Sequence, residues 1–344
     1  MKALQKVHPA FGLELRDVAQ PPSPAPGEVI VEVLATGLCG TDVHIYEWTS
    51  GYEAMTKAMP VTLGHEFSGT IAAVGAGVQG IEVGALVAVR PSVVCGRCQA
   101  CLAGNADACT NRRGIGVTRD GGLAKLVSVP AENCIVVPEG LDADVVALTE
   151  PMTVSAEAVN TGEVRKGDRV LVLGPGNIGQ GVALFAREAG AAQVVIVGKD
   201  DALRLDVLRR MGFADTVDLG ERTLVDALAT YLSQGKFDVV IEATGAPAVV
   251  QQGLDVLRKR GIFVICGIHP TPVSVNLTRL VRDQQQIRGS YRAPLTTWSR
   301  VIDFMSKHAE LVRQMITHKV PLERVLDGFE LARNKAASKV LIVP

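Results

Sequence analysis

Four of the seven cysteines in this chain lie within one short segment, "CGRCQACLAGNADAC", which runs through Cys95, Cys98, Cys101 and Cys109. Glycine, asparagine and aspartate residues interrupt the segment, and these residue types favour the tight turns that bring several sulfurs to one point. Four thiolates match the ligand set of tetrahedral zinc and leave no position for water or substrate. The segment therefore predicts a structural zinc site, against the alternatives of an accidental cluster or a redox-active Cys-x-x-Cys pair.

A second set of possible metal ligands lies closer to the N-terminus. Cys39 ends an apolar, strand-like run, and His65 and Glu66 form a polar pair between two further runs of that kind. One thiolate, one imidazole and one carboxylate supply three protein ligands and leave a position open, as a catalytic zinc requires. Taken alone, Cys39 is equally typical of a buried core residue. The polar pair favours a metal centre, because a charged group in that setting needs a partner.

Three further residues extend this chemistry. Thr41 and His44 follow Cys39 closely in the chain. A metal ion lowers the pKa of a bound alcohol, so the released proton needs a route to solvent, and a hydroxyl followed by an imidazole provides one. His44 alone would be read as a surface histidine. Glu150 follows an apolar stretch and keeps two interpretations: a fourth or exchangeable metal ligand, or an acid at a helix N-terminus.

The middle of the chain contains a nucleotide-binding pattern. A predicted strand at 170–173 is followed by Gly174, Gly176 and Gly179, then by a helical segment and a second predicted strand at 194–197. In this context the first glycine permits a tight turn, the second lets a pyrophosphate approach the backbone, and the third lets helix and strand pack closely. The helix N-terminus then offers free N–H groups to the phosphates. We predict a dinucleotide site here.

The residues after that second strand bear on the choice between NAD and NADP. Enzymes selective for NAD usually carry an acid about 20 residues beyond the glycine turn, which holds the 2′-hydroxyl of the ribose. Gly198 and Lys199 occupy that place, and Asp200 and Asp201 follow one or two residues late. Lys199 with Arg204 would attract a 2′-phosphate, although Lys199 is equally typical of a solvated loop lysine. The pattern predicts that NADP is accepted better than an enzyme with that acid would allow.

Alternating strand and helix patterns surround the glycine turn. Further strands are predicted at 237–245 and 261–268, and an amphipathic helix at 246–260 lies between them. This alternation is typical of α/β proteins, in which helices cover both faces of a parallel sheet. We predict a doubly wound parallel sheet over residues 155–288.

The two flanks of this domain have a different pattern. Residues 1–154 are rich in glycine and in short β-like runs, and the chain ends on an apolar strand, "KVLIVP". Short strands with frequent turn residues indicate a mainly β domain. We predict that residues 1–154 form this second domain and that residues 289–344 complete it.

Composition indicates a globular enzyme. The 344 residues are 47% hydrophobic and carry 35 basic and 36 acidic side chains, so the chain is long enough for more than one core and has almost no net charge. This charge balance gives no electrostatic reason to expect a nucleic acid or a membrane as partner. The N-terminal residues lack the features of a signal peptide, no apolar run spans a membrane, and the odd cysteine count suits a reducing compartment. We expect a cytoplasmic protein.

The order of these motifs resembles that of zinc-dependent medium-chain alcohol and polyol dehydrogenases, and within that family the L-threonine 3-dehydrogenase and sorbitol dehydrogenase types. The likeness extends over essentially the whole chain and is carried by "CGTDVHIYEW", "GHEFSG", the four-cysteine segment, "GIGVTRDGGLAKL", "GPGNIGQ", "IEATGAP" and "SKVLIV". It implies a GroES-like catalytic domain, a Rossmann dinucleotide-binding domain, two zinc ions per subunit, a nicotinamide cofactor and a homotetramer.

The resemblance also implies roles for particular residues. It matches Thr41 and His44 to a proton relay beside the catalytic zinc. It matches Glu150 to an acid that approaches the zinc in the polyol branch, and Arg292 to an arginine that contacts substrate. With the glycine pattern, the residues predicted to bind the cofactor are Gly174, Gly176, Asn177, Ile178, Gly179, Lys199 and Arg204 on the adenosine side, and Cys266, Gly267, Ile268, Ser290 and Tyr291 on the nicotinamide side.

We expect hydride transfer from a secondary alcohol to NAD or NADP. A polyol or similar vicinal diol is the expected substrate, and L-threonine is the alternative. The chain departs from threonine dehydrogenases at Thr49, where they usually carry an acid, and in the loop "TSGYEAM", while "RGSYRAPLTTW" differs from both branches. Two other classes of protein, a zinc-free quinone reductase relative and a non-catalytic binding protein, would lack Cys39 or His65. Both residues are present.

Overall fold

The computed structural model describes residues 1–344 and divides them into two compact units. The first unit comprises Met1–Glu150 and Met305–Pro344, and the second comprises Pro151–Phe304. None of the helices combines the length and the apolar character needed to cross a membrane.

The strands, in chain order, are β1 Lys2–Lys6, β2 Glu14–Asp17, β3 Glu28–Gly37, β4 Val61–Thr62, β5 Glu66–Val74, β6 Leu86–Val89, β7 Ser92–Val93, β8 Arg113–Gly114, β9 Leu126–Pro130, β10 Cys134–Val136, β11 Arg169–Leu173, β12 Gln193–Gly198, β13 Thr216–Asp218, β14 Phe237–Glu242, β15 Leu257–Ile265, β16 Gln286–Gly289, β17 Ile316–Pro321 and β18 Lys339–Val343. The α-helices are α1 Gly40–Glu47, α2 Gln99–Leu102, α3 Ala143–Val146, α4 Thr149–Thr161, α5 Asn177–Glu188, α6 Ala202–Arg210, α7 Leu224–Ala227, α8 Ala229–Leu232, α9 Pro247–Val256, α10 Leu277–Asp283, α11 Leu295–Arg313 and α12 Val325–Arg333. Short 3-10 helices lie at Glu53–Ala58, Ala106–Ala108, Ala131–Asn133 and Leu322–Arg324.

The first unit is built on a seven-stranded sheet with the order β10-β6-β5-β3-β18-β17 and with β9 paired to β3. Its centre is the long antiparallel pair of β3 and β5. Val29, Val31 and Val33 of β3 pack with Phe67 and Ile71 of β5 in one buried apolar cluster. The C-terminal strand β18 pairs with β3 of the N-terminal part.

The second unit contains a six-stranded sheet with the order β13-β12-β11-β14-β15-β16. All five pairs in this sheet are parallel. Val170, Leu171 and Val172 of the central strand β11 are fully buried, as expected for a strand covered by helices on both faces. The predicted doubly wound α/β fold is therefore confirmed.

The helix predicted at 246–260 is wrong in its last turn. Helix α9 ends at Val256, and β15 begins at the next residue, Leu257, which pairs with Phe237 of β14. Three exposed basic residues at 258–260 had the appearance of a polar helix face. They instead form an irregular strand start, in which Arg260 has a φ of 60° and the register with β14 shifts.

Residues 289–304, predicted to complete the first domain, cluster with the second unit. The hydroxyl of Thr297 donates to the Glu157 carboxylate at 3.0 Å, and the Arg300 guanidinium donates to the Asn160 side chain at 3.0 Å. These contacts attach the first half of α11 to α4. They had no sequence signal, since the partners are 140 residues apart.

Candidate active site and zinc sites

Cys39, His65 and Glu66 converge in the first unit. Their ligand atoms all lie within 4.8 Å of one another, and His65 and Glu66 are buried. The register of the sheet explains the convergence, because Gly37 at the end of β3 pairs with Glu66 at the start of β5. Cys39 follows two residues later as the N-cap of α1, and so lies beside His65. The structure thus brings the three predicted ligands together.

Asp42 is a buried carboxylate in this site that the sequence analysis did not identify. Its Oδ2 accepts a hydrogen bond from the backbone N–H group of Cys39 at 2.9 Å. Its Oδ1 lies 3.7 Å from Nδ1 of His65, which leaves Nε2 as the nitrogen available to a metal. An acid that faces the second nitrogen of a ligating histidine orients the ring and raises its basicity.

Lys339 is a second residue that the sequence did not reveal. Its ammonium group lies 2.5 Å from Oε2 of Glu66 and donates to the carbonyl oxygen of Leu38 at 2.9 Å. The side chains of Lys339 and Glu66 are both 1% exposed. A buried ion pair of this kind holds the carboxylate in one orientation, because leaving either charge unpaired would be costly.

The pKa values of the cluster reflect buried, mutually repelling anions. Burial raises the pKa of the Cys39 thiol, and the nearby Glu66 raises it further. Burial alone would lower the pKa of His65, but Asp42 and Cys39 beside it bring it well above its usual value. Burial raises the pKa of Glu150 to about 7, with Glu66 adding to the rise and His65 opposing it.

This donor set fits zinc. A soft thiolate, an imidazole and a carboxylate at close range are ligands that zinc accepts, and ligation requires the deprotonated thiol. A divalent cation would offset the repulsion among Cys39, Glu66 and Asp42 that raises the pKa of Cys39. Glu150 lies outside the three-ligand group, although the charges of His65 and Glu66 shift the pKa of its carboxyl group. Glu150 lies in the first turn of helix α4.

The predicted relay residues have a third neighbour, Tyr52. The rings of His44 and Tyr52 are stacked with centroids 6.4 Å apart, and Nδ1 of His44 lies 3.4 Å from the Thr49 hydroxyl. Burial raises the pKa of Tyr52, while its hydrogen bond with Thr41 lowers it. No hydrogen bond joins Thr41 directly to His44. Tyr52 lies next to both, because it is hydrogen-bonded to Thr41 and its ring stacks on that of His44.

The four-cysteine segment forms a single cluster in the first unit. The sulfurs of Cys95, Cys98, Cys101 and Cys109 all lie within 4.8 Å of one another, and none forms a disulfide. Backbone N–H groups of Cys101 and Thr110 lower the pKa of Cys98 to about 5. A thiol that is already deprotonated at neutral pH suits a metal ligand. The geometry agrees with the predicted structural zinc site.

The glycine turn of the second unit has the steric constraints that its motif predicts. A Cβ atom on Gly179 would lie 1.8 Å from the carbonyl oxygen of Gly174, so helix α5 can approach the turn only with glycine there. Gly174 itself has a φ of 107°. Helix α5 begins at Asn177, whose Oδ1 is buried without a hydrogen-bond partner. Ile178 follows in the first turn of this helix, and its carbonyl oxygen accepts a hydrogen bond from the Ser155 hydroxyl. An unsatisfied buried acceptor at a nucleotide turn fits a site that is completed by a ligand.

Arg204 lies beside the glycine turn. Its Nη1 is 3.8 Å from the position of a Cβ on Gly176, and 3.3 Å from the Asp201 carboxylate. Asp201 is nearly buried, and the N–H group of Asp200 donates to Asp218 at 2.9 Å. Lys199 lies between Gly198 and these residues and is exposed. The carboxylates of Asp201 and Asp218 thus already have partners within the protein.

The residues predicted for the nicotinamide and substrate follow two neighbouring strands. Cys266, Gly267 and Ile268 come directly after β15, and Ser290, Tyr291 and Arg292 come directly after β16. Both strands are parallel, so these residues share the carboxyl edge of the sheet. Burial raises the pKa of the Cys266 thiol to about 12, whereas Ile268 and Tyr291 are exposed. The Arg292 guanidinium lies over the Tyr291 ring, 4.5 Å from its centroid.

Comparison with known proteins agrees with this architecture. Residues 25–139 match the family described as the alcohol dehydrogenase GroES-like domain, and residues 177–307 match that described as zinc-binding dehydrogenase. An L-threonine 3-dehydrogenase of Bacillus subtilis is 35% identical over 100% of this chain and 99% of its own length.

Two solved structures are similar over the whole chain. A putative zinc-binding dehydrogenase from Sinorhizobium meliloti bound to NADP has a TM-score of 0.89 and 31% identity, covering 100% of this chain and 99% of that one. A 2R,3R-butanediol dehydrogenase from Bacillus subtilis has a TM-score of 0.87 and 27% identity with the same coverage.

The fold and the metal-ligand set define a zinc-dependent oxidoreductase that uses NAD or NADP. More particularly, the chain belongs to the zinc-dependent medium-chain dehydrogenases related to L-threonine 3-dehydrogenase. This confirms the family, the fold and the reaction class expected from the sequence. Two further relatives, from Idiomarina loihiensis and Saccharopolyspora erythraea, are also named L-threonine 3-dehydrogenase and are 32% and 34% identical over 99% of this chain.

Proposed function

We propose that this enzyme oxidises the secondary hydroxyl group of L-threonine or a closely related 3-hydroxy amino acid. The convergence of Cys39, His65 and Glu66 carries the proposal of zinc-dependent alcohol oxidation. The L-threonine 3-dehydrogenases that resemble the chain over its full length support the substrate. A vicinal diol is the second candidate, because a butanediol dehydrogenase is similar in structure. Like L-threonine, a vicinal diol carries a secondary hydroxyl group beside a polar substituent.

Zinc held by Cys39, His65 and Glu66 would act as a Lewis acid and lower the pKa of the substrate alcohol. Residues of the protein then transfer the alcohol proton to solvent. The Thr41 hydroxyl accepts it at the substrate oxygen and passes it through Tyr52 to His44, which releases it to solvent. The Asp42 carboxylate meanwhile keeps the His65 ring in its ligating orientation.

On the other unit, the glycine turn and Arg204 bind the adenosine half of the cofactor, and the two segments after β15 and β16 bind the nicotinamide half. These residues position the ring that accepts the hydride and keep water away from it. We further propose that the enzyme works in the cytoplasm as a homotetramer, as its family resemblance implies. Light scattering of the purified protein tests the assembly.

A substrate panel tests the proposal. It contains L-threonine, 2R,3R-butanediol, sorbitol and 2-propanol, each assayed with NAD and with NADP on zinc-loaded enzyme. L-Threonine should give the highest kcat/KM, and His65→Ala should abolish turnover while cofactor binding persists. A diol preferred by tenfold or more (about 1.4 kcal/mol) would transfer the assignment to the second candidate. Failure to oxidise any of the four would contradict it altogether.

A further inference from the structure

The sheet of the second unit determines where a dinucleotide can bind. Its strand order reverses between β11 and β14, and cofactors bind outside the carboxyl ends of the strands at such a point. Three loops meet at this edge: the glycine turn after β11, residues 243–246 after β14, and residues 266–269 after β15. The last residue of β14 is Glu242, whose side chain is fully buried.

The side chain of Glu242 joins the loop at 243–246 to the loop at 266–269. Its Oε1 accepts hydrogen bonds from the N–H and hydroxyl groups of Thr244, each at 2.5 Å, and from the N–H group of Gly245 at 2.8 Å. Its Oε2 lies 3.0 Å from Nε2 of His269. A carboxylate can only accept, so the imidazole donates from Nε2. Nδ1 of His269 has no hydrogen-bond partner, and the ring is therefore anchored through Glu242 alone.

The same two loops approach each other too closely for any side chain between them. A Cβ atom on Gly267 would lie 2.3 Å from the backbone nitrogen of Gly245 and 2.6 Å from Oε2 of Glu242. The carbonyl oxygen of Glu242 also accepts the N–H groups of Cys266 and Gly267, at 3.0 and 3.2 Å. The backbone before Ile268 is thus fixed to the end of the sheet, while the Ile268 side chain is 56% exposed. A fixed backbone that presents an apolar side chain is a suitable support for a flat ring.

We propose that His269, acting through Glu242, positions the backbone of 266–268 for the nicotinamide half of the cofactor. This inference rests on the proposed function, in which that segment binds the nicotinamide. His269 is a positioning residue: its hydrogen bond closes the loop in one conformation and so reduces the entropy that binding must remove. Gly176 and Arg204 lie around β11 and β12, whereas the loops that Glu242 joins follow β14 and β15, so we expect the adenosine half to bind without His269.

Three substitutions at one position separate this role from general stability. His269→Ala removes the hydrogen bond to Glu242. His269→Gln retains it, because the glutamine amide nitrogen lies near the place of Nε2, whereas His269→Asn has a shorter side chain and leaves it broken. The control is His8→Ala, which removes an exposed histidine 4.0 Å from Glu14, with side chains 74% and 51% exposed. Melting temperature is recorded for all four variants.

Two dissociation constants are measured. The first is that of NADH or NADPH, whichever the unmodified enzyme binds more tightly. The second is that of the matching fragment without nicotinamide, ADP-ribose or 2′-phospho-ADP-ribose. His269→Ala and His269→Asn should weaken the reduced cofactor about tenfold or more (1.4 kcal/mol per tenfold) and leave the nicotinamide-free fragment within about twofold. His269→Gln should restore most of the loss. His8→Ala should change neither ligand.

Equal weakening of cofactor and fragment would overturn the inference, since it would indicate general damage to the unit. The inference would also be overturned if His269→Ala bound the reduced cofactor as tightly as the control does. It would be overturned as well if His269→Gln folded but did not recover cofactor binding. If the unmodified protein binds neither reduced cofactor, the proposed function fails before the inference is reached. If it binds cofactor normally and the variants do not differ, only the inference fails.

Discussion

The ammonium group of Lys339 lies 2.5 Å from the carboxylate of Glu66, although the two residues are 273 positions apart in the chain. Pairing of β18 with β3 places Lys339 near Gly37, and β3 pairs with β5 where Glu66 begins. The last strand of the chain therefore supplies a cation to the metal-ligand set. Deleting that strand would remove a charge from the site and also the strand that joins β3 to the edge strand β17.

Replacing Lys339 by methionine should destabilise the protein. The Glu66 carboxylate would stay buried without its partner, which costs about 3–5 kcal/mol when one member of a buried pair is removed. Lys339→Arg keeps the charge and serves as the control. Urea unfolding of the metal-free protein measures the loss, and zinc content after dialysis shows whether Glu66 still ligates. Equal unfolding free energies for the methionine and arginine variants would contradict a role for the charge.

Replacing Tyr52 by phenylalanine should slow turnover by about tenfold or more, because the relay from Thr41 to His44 loses its middle hydroxyl. The loss should shrink at high pH, where solvent accepts the proton without help. Members of one relay act together, so Tyr52→Phe with His44→Ala should be no slower than the slower single variant. Tyr46→Phe on the neighbouring helix is the control, since Tyr46 donates to Glu330, outside this path. Additive losses in the double variant would separate the two residues.

The sequence predicted the parts of the site that depend on local spacing. The four cysteines, the glycine turn and the pair His65–Glu66 each lie on one short segment, so residue type and order suffice to recognise them. The strands of the parallel sheet were equally clear, because their continuous apolar runs are buried on both faces.

The sequence could not reveal residues whose role depends on pairing between distant strands. Lys339 reads as the polar first residue of an apolar strand, and only the sheet register buries it beside Glu66. Asp42 reads as an acid in the first turn of a helix. His269 lies next to a segment already assigned to the cofactor, but its bond to Glu242 depends on the pairing of β14 with β15. The extension of β15 back to Leu257 was missed because the three basic residues after it resemble the polar face of a helix and not the start of a strand.

Removal of zinc should expose thiols of very different reactivity. The pKa of Cys98 is about 5, so its thiolate predominates at every pH above that value, whereas burial raises the pKa of Cys101 and of Cys134 to about 12. After chelation, iodoacetamide should label Cys98 first, at a rate nearly constant between about pH 6 and 8, because only the thiolate reacts. Mass spectrometry of timed samples identifies the labelled site. Zinc-loaded protein is the control and should be protected.

Two outcomes would contradict this prediction. Labelling of Cys98 that rises about tenfold per pH unit across that range would show an ordinary thiol. Labelling of Cys134 as fast as Cys98 in folded protein would show that its burial does not protect it. The first result would weaken the assignment of Cys98 as a preformed zinc ligand.

The choice between NAD and NADP depends on the residues after β12. Asp201 pairs with Arg204 at 3.3 Å, and the Asp218 carboxylate accepts the N–H group of Asp200 at 2.9 Å, so the carboxylates of Asp201 and Asp218 are engaged within the protein. Lys199 occupies the place at which NAD-selective enzymes carry an acid. We therefore expect both cofactors to be used, with NADP accepted better than an enzyme with that acid would allow.

Lys199→Asp tests this expectation, because it removes a cation that would attract a 2′-phosphate and adds an anion that repels it. It should lower kcat/KM for NADP about tenfold, which corresponds to the free energy of one charge-assisted hydrogen bond. The value of kcat/KM for NAD should change much less. Lys236→Asp, which alters an exposed lysine that donates to a backbone carbonyl elsewhere on this unit, is the control. An unmodified enzyme that prefers NAD by more than about a thousandfold (about 4 kcal/mol) would rule the expectation out, since Lys199 would then contribute nothing that a 2′-phosphate could use.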